Sequence, residues 1–227
     1  MDLDGTVAVV TGAGAGLGRS IATALTSAGA QVLAADVDEE ASRAAGEGLP
    51  SYRAVRCDVT DPGDRERLVA LATAAGGPHI LVNNAGGWTA GSQYPAAAYA
   101  DWSRTIQLNL VGPMHLTQLV IPPMAELGGG AILNIASSAG LGADPYGSPE
   151  YGASKAGLIR FTTTMGDLPL TRVMGIVPGW IGLERAHAEV AALPPEERPA
   201  LIPPEEIVDV ALRLLRDGEG GTIVEML

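Results

Sequence analysis

The 227-residue sequence predicts an α/β fold: a doubly wound, parallel, seven-stranded sheet with helices on both faces. Short runs rich in Val, Ile and Ala alternate with longer amphipathic stretches along the whole chain, and the runs read as fully buried strands. The βαβ order persists throughout, which calls for right-handed crossovers and places ligands at the carboxyl ends of the strands. With 47% hydrophobic residues, residues 1–227 can fill the core of one domain.

Strands are predicted at 6–10, 31–35, 52–57, 80–83, 131–135, 173–177 and 222–224. Helices are predicted at 17–28, 39–48, 61–75, 101–127, 150–165 and 205–217. Asp61-Pro62 and Pro204-Glu205-Glu206 supply a capping side chain, a proline at the first turn and acidic residues near the positive end of the helix dipole. Gly166-Asp167-Leu168-Pro169 stops the 150–165 helix. The Gly/Pro-rich stretches 140–149 and 194–204 read as long loops, and about 184–204 as a short lid over the substrate.

The charge balance excludes one class of partner. Fourteen basic residues stand against 26 acidic ones, a net of −12, and the basic ones are scattered, whereas a phosphate backbone demands a basic face. Nucleic acid is therefore not expected as a partner. No apolar run approaches the roughly 20 residues needed to span a bilayer. The start, Met1-Asp2-Leu3-Asp4-Gly5, lacks the features of a signal peptide, so the chain reads as cytoplasmic. Cys57 stands alone and reads as a small residue ending a buried strand. His79, His115 and His187 are dispersed, and no metal site is expected.

After the first strand comes Thr11-Gly12-Ala13-Gly14-Ala15-Gly16-Leu17-Gly18, leading into a helix. Glycines there let the backbone turn sharply and bring a helix amino terminus against a pyrophosphate, as in a Rossmann-type nucleotide fold. The GxGxxG spacing fails; TGxxxGxG fits. The second strand ends at Asp36, 24 residues after Gly12, where a carboxylate can accept from the adenosine ribose hydroxyls. That charge repels a 2′-phosphate, and neither Ala13 nor Ala15 supplies a cation, so NAD is favoured over NADP. The rival reading of Asp36 is a helix cap.

Tyr151 and Lys155 stand four apart at the start of a helix, on one face and within about 6 Å. An ammonium beside a phenol favours phenolate and brings it toward use as an acid/base. In a bare sequence the same spacing is ordinarily a surface pair.

The ordered series from Gly12 to Lys155 resembles the short-chain dehydrogenase/reductase family. Besides Gly12, Gly16, Leu17 and Gly18, it includes Asp58-Val59 after the third strand and Asn83-Asn84-Ala85-Gly86 after the fourth. Asn109 lies in the long helix, and Tyr151-Gly152-Ala153-Ser154-Lys155 opens the next. The resemblance implies an NAD-dependent enzyme moving hydride between the cofactor and an alcohol or carbonyl, with Tyr151 as acid/base. Tyr151 and Lys155 would also meet the cofactor, Lys155 through the nicotinamide ribose. Asp58 would accept from the adenine amino group beside Val59, and Asn84, Ala85 and Gly86 would line the adenosine ribose and pyrophosphate. Pro178, Gly179 and Ile181 would lie near the nicotinamide. The rival readings are a helix cap for Asp58 and a turn-stabilising side chain for Asn84.

The substrate-orienting hydroxyl is expected in Asn134-Ile135-Ala136-Ser137-Ser138-Ala139-Gly140. Counting back three from Gly140 selects Ser137, counting back thirteen from Tyr151 selects Ser138, and Ser137 is preferred. Asn109, unfavourable in mid-helix, implies a specific hydrogen bond; the resemblance implies a water held there that relays protons from Lys155. Trp88, Tyr146, Trp180 and His187 flank the expected pocket, and the rival reading of each is a core or surface side chain. The pocket reads as apolar, suited to a small or medium alcohol or ketone.

Three features depart from the family pattern: Met174 where Asn is common, Leu183 where Thr often follows the Pro-Gly turn, and no Gly-rich tail after Val224. The resemblance implies a homodimer through the two long helices, with a homotetramer as second choice. A catalytically weak NAD-binding sensor or scaffold is the rival function.

Overall fold

The computed structural model describes residues 1–88, 91–142 and 147–227. The strands are β1 (Val7–Thr11), β2 (Gln31–Asp36), β3 (Tyr52–Arg56), β4 (Ile80–Asn83), β5 (Gly130–Ile135), β6 (Thr171–Pro178) and β7 (Ile223–Met226). They form one parallel sheet in the order β3-β2-β1-β4-β5-β6-β7. The chain order reverses between β1 and β4, and the crevice at such a switch point is where ligands bind in these sheets.

The period of two in each strand divides the core between the two faces. Val7 and Val9 of β1 join Leu81, Ile132, Leu68, Leu116 and Val120 on one side. Ala8 and Val10 join Val82, Leu133, Ile21, Leu25, Ile207 and Leu214 on the other. Met174 belongs to this second cluster, fully buried, so at this departure from the family pattern the side chain fills core.

Helices α1 (Gly16–Ser27), α2 (Glu39–Ala45), α3 (Pro62–Ala74), α4 (Tyr99–Ile106), α5 (Gly112–Glu126), α6 (Pro149–Thr164), α7 (Glu184–Ala191) and α8 (Pro204–Asp217) complete the chain. Asp38 caps α2 by accepting from the Ala41 N–H, and Asp61 caps α3 by accepting from the Asp64 N–H. At the far end of α8, Arg172 of β6 donates to the carbonyls of Leu214, Leu215 and Gly218. α1 differs: its first turn has no side-chain cap and no acidic residue.

The structure departs from the sequence reading in two places. The helix predicted over 101–127 is α4, a π-helical turn at Gln107–Val111, and α5. Within that turn Asn109 donates to the Gly87 and Thr105 carbonyls and accepts from the Gly87 N–H, a tie to a distant loop that accommodates the extra residue per turn. The region read as a lid contains α7 and a 3₁₀ turn at Pro195–Glu197. Ile202 near its end is bridged to Ile181.

Candidate active site

The carboxyl ends of β1, β2 and β4 build one half of the site. Gly18 packs so closely on the Gly-rich turn that a Cβ there would lie 2.1 Å from the Gly12 carbonyl oxygen. Gly12 itself has φ +66°, a conformation glycine adopts without strain. The turn thus delivers the amino end of α1, whose first N–H groups have no intrahelical acceptor. Such a turn can hold a phosphate.

Asp36 faces this turn. Its Oδ2 accepts from the Gly14 N–H at 2.8 Å and its Oδ1 from the Asp38 N–H at 3.0 Å. Asp38, not Asp36, caps α2, which disposes of the rival reading of Asp36. Asp58 accepts from the Thr60 N–H and hydroxyl on one oxygen and from Arg104 at 3.1 Å on the other. Although partial burial works the other way, those bonds hold its carboxyl below the ordinary range. The cap of α3 is Asp61, so Asp58 holds a turn three residues before it. Val59 is buried beside it, and its carbonyl accepts from Arg65. Asn84 donates to the carbonyls of Thr11 and Gly12 at 2.9 and 3.2 Å, the turn-stabilising role set against cofactor contact above. The Thr11 hydroxyl accepts from the backbone N–H groups of Asn84 and Ala85, so the ends of β1 and β4 are laced together.

The other half is carried by α6 and the end of β5. Tyr151 and Lys155 are 8% and 3% exposed, not a surface pair. The Lys155 ammonium lies 5.7 Å from the Tyr151 ring centroid and donates to the Ile135 carbonyl at 2.8 Å. Burial lowers the Lys155 pKa to about 8. Gly86 and Asn109 close the same space, since a Cβ on Gly86 would lie 2.7 Å from Asn109 Oδ1 and 3.1 Å from Lys155 Nζ. The Asn109 amide is committed to Gly87 and Thr105.

The turn after β5 presses on α6: a Cβ on Gly140 would fall 2.5 Å from the Ala156 backbone nitrogen. Ser137, at the head of that turn, accepts from the Ala139 N–H at 3.2 Å. Accepting that bond does not use the hydroxyl proton.

Trp88 lies edge-on to Tyr151, ring centroids 5.8 Å apart. Trp180 and His187 lie instead on the segment after β6, which follows Pro178 and Gly179; Trp180 is 38% exposed and His187 is exposed. Tyr146 lies outside the described residues. Leu183 reaches back over the Gly-rich turn, with a methyl 3.2 Å from where a Gly16 Cβ would sit. Cys57 is buried, and burial pushes its thiol up to about 12. His79 accepts from the Val7 N–H and His115 from Arg65, both in packing roles. No helix among the described residues is long and apolar enough to cross a membrane.

Residues 6–192 match the family model for short chain dehydrogenase. The chain belongs to that family. It is 37% identical over 187 residues to the 7alpha-hydroxysteroid dehydrogenase of Escherichia coli K12, covering 79% of this chain and 72% of that protein. It is 31% identical over 236 residues to the 3-oxoacyl-(acyl-carrier-protein) reductase of Thermotoga maritima, covering 96% and 93%. A solved 7 alpha-hydroxysteroid dehydrogenase, complexed with NADH and 7-oxo glycochenodeoxycholic acid, superposes with a TM-score of 0.86. It shares 32% identity, over 99% of this chain and 93% of that one. As a short-chain dehydrogenase, the chain is an oxidoreductase acting on CH–OH groups with a nicotinamide cofactor, and the sensor or scaffold reading is not favoured.

Sequence reasoning missed Tyr52 and Arg104. Tyr52 donates to the Ala13 carbonyl in the Gly-rich turn, and Arg104 pairs with Asp58. Neither has a local signal, since the bonds span 39 and 46 residues.

Proposed function

We propose that the chain is an NAD-preferring dehydrogenase/reductase of small or medium apolar alcohols and ketones, with Tyr151 as its acid/base. One observation supports this above the others: Tyr151 and Lys155 are both buried, and the ammonium stands 5.7 Å from the phenol ring. A cation there stabilises negative charge on the phenol oxygen as it gives up a proton. Ser137 donates its hydroxyl proton to the substrate oxygen and orients it, and Tyr151 takes or returns the proton of the alcohol. Asn109 fixes the Gly87 backbone beside Lys155 and borders the path by which protons leave. When bound, the nicotinamide cofactor supplies or accepts the hydride.

The cofactor residues of this reading are Gly12, Gly16, Leu17 and Gly18 at the pyrophosphate, Asp36 at the adenosine ribose, and Asp58 with Val59 at the adenine. Asn84, Ala85 and Gly86 line the middle, Lys155 the second ribose, and Pro178, Gly179 and Ile181 the nicotinamide. The uncapped start of α1 fits the phosphate, and a carboxylate oriented by two backbone N–H groups fits a ribose diol and repels a 2′-phosphate. Trp88 walls the substrate side of Tyr151, while Trp180, His187 and the 184–204 segment cover it as a lid. Met114, 41% exposed on α5, and the apolar groove it shares with Ile121, Phe161 and Met165 support a homodimer through α5 and α6.

The test is a panel of alcohols and ketones followed at the NADH absorbance band, with NADH binding read by fluorescence. Tyr151→Phe should lower kcat by about 10²–10⁴ while NADH still binds. Activity kept by that variant sinks the assignment of Tyr151.

A further inference from the structure

One peptide unit of the Gly-rich turn is held from both sides. The carbonyl of Ala13 accepts from the Tyr52 hydroxyl at 3.2 Å. The N–H of the same peptide, on Gly14, donates to Asp36 Oδ2 at 2.8 Å. The second Asp36 oxygen accepts from the Asp38 N–H, so two backbone donors set the plane of this carboxylate and one belongs to the peptide that Tyr52 grips.

Such a grip matters at this sequence position. A peptide preceding glycine flips readily, because glycine accepts the backbone angles of either orientation. A flip at Ala13-Gly14 would turn the N–H away from Asp36 and release the carboxylate. The phenol is poorly placed to swing aside, because its ring packs where a Cβ on Gly46 would lie 2.1 Å away. Burial, with Asp36 adding to it, raises the Tyr52 pKa, so the hydroxyl remains a donor at neutral pH.

We propose that Tyr52 is a positioning residue for cofactor selection, holding the Ala13–Gly14 peptide and through it the Asp36 carboxylate that meets the adenosine ribose. The inference rests on the reading of Asp36 given above. It adds a second residue, from another strand, on which the preference for NAD depends.

The experiment is a double-mutant cycle of Tyr52→Phe and Asp36→Ala, measuring NADH and NADPH dissociation constants by fluorescence, KM and kcat for NAD, and Tm for every variant. Tyr52→Phe should weaken NADH about five- to tenfold and NADPH far less, with the loss in KM rather than kcat. In the Asp36→Ala background the same change should leave the NADH to NADPH ratio unmoved. Equal weakening of both nucleotides, or an effect on the ratio that persists without Asp36, overturns the proposal. If Asp36→Ala itself leaves the ratio at the parent value, the reading of Asp36 fails and Tyr52 falls with it. A ratio moved by Asp36→Ala but not by Tyr52→Phe removes Tyr52 alone. Should Tyr52→Phe not fold, Gly14→Ala approaches the same carboxylate from the peptide side, its Cβ 3.0 Å from Asp36 Oδ2. It should raise the NADH dissociation constant relative to that of NADPH, and an unchanged ratio there also overturns the proposal.

Discussion

The two halves of the site are built by different means. On the adenosine side, backbone groups and short acidic side chains hold one another: Asp36 on Gly14 and Asp38, Asp58 on Thr60, Asn84 on Thr11 and Gly12. On the side proposed as catalytic, two long side chains are buried on one helix, and the turn headed by Ser137 is pressed against that helix. The first arrangement shapes a binding surface; the second creates a reactive environment, where the burial that perturbs Lys155 also excludes water. Damage to one half should therefore show in affinity and damage to the other in turnover.

A matched pair of substitutions puts that contrast to the test. Gly140→Ala forces the Ser137 turn off α6 by the width of a methyl, and a misplacement near 1 Å should lower kcat about a hundredfold while NADH affinity holds. Gly18→Ala inserts the same methyl between α1 and the Gly12 carbonyl. It should weaken NADH at least about tenfold and lower Tm by about 2–10 °C. Stopped-flow turnover beside fluorescence titration separates the two, and if each variant lost affinity and turnover alike, the halves would not be separable.

Lys155 sharpens the comparison from the stability side. Its folded pKa of about 8 lies below the ordinary 10.5, so between those values the unfolded chain binds a proton that the folded chain does not. Stability of the cofactor-free protein should thus rise with pH across that interval, by at most about 1.4 kcal/mol per pH unit from this group. Lys155→Met should remove that contribution, read as Tm against pH in both proteins; identical slopes would show that the burial is not felt. The smallest effect belongs to Arg104. Its pair with Asp58 is largely exposed and is worth about 1 kcal/mol or less, so Arg104→Ala should weaken NADH no more than about fivefold. A larger loss would mean that the adenine end depends on this ion pair as well as on the turn beneath it.

The sheet was legible because its inner strands, β1, β4, β5 and most of β2 and β6, are buried on both faces and read as plain apolar runs; β4, Ile80–Asn83, coincides with its predicted range. The residues proposed for the adenosine end stand out in the sequence because their spacing from the strand ends is short. What escaped depends on contacts between distant segments. Gln107-Leu108-Asn109-Leu110 carries a helical pattern, and the π turn shows only in the fold, where the Gly112 N–H donates to the Gln107 carbonyl and Asn109 is tied to Gly87. α7 is short and lies inside a Pro-bounded, Ala- and Glu-rich stretch that reads as a loop, although Leu183, Ala186 and Val190 fall at helical spacing there. Between Ser137 and Ser138, two counts from flanking motifs disagreed. Ser137 accepts a backbone bond from Ala139, and that bond does not decide between the two hydroxyls.

α2 and α3 bring their own caps, and α1 does not. On the proposed reading, a phosphate seated there would satisfy the first N–H groups of α1, so folding and nucleotide occupancy would become linked equilibria. Raising the nucleotide concentration should raise the melting temperature logarithmically. The amide protons of Gly16, Leu17 and Gly18 should pass from rapid to slow deuterium exchange as the site fills.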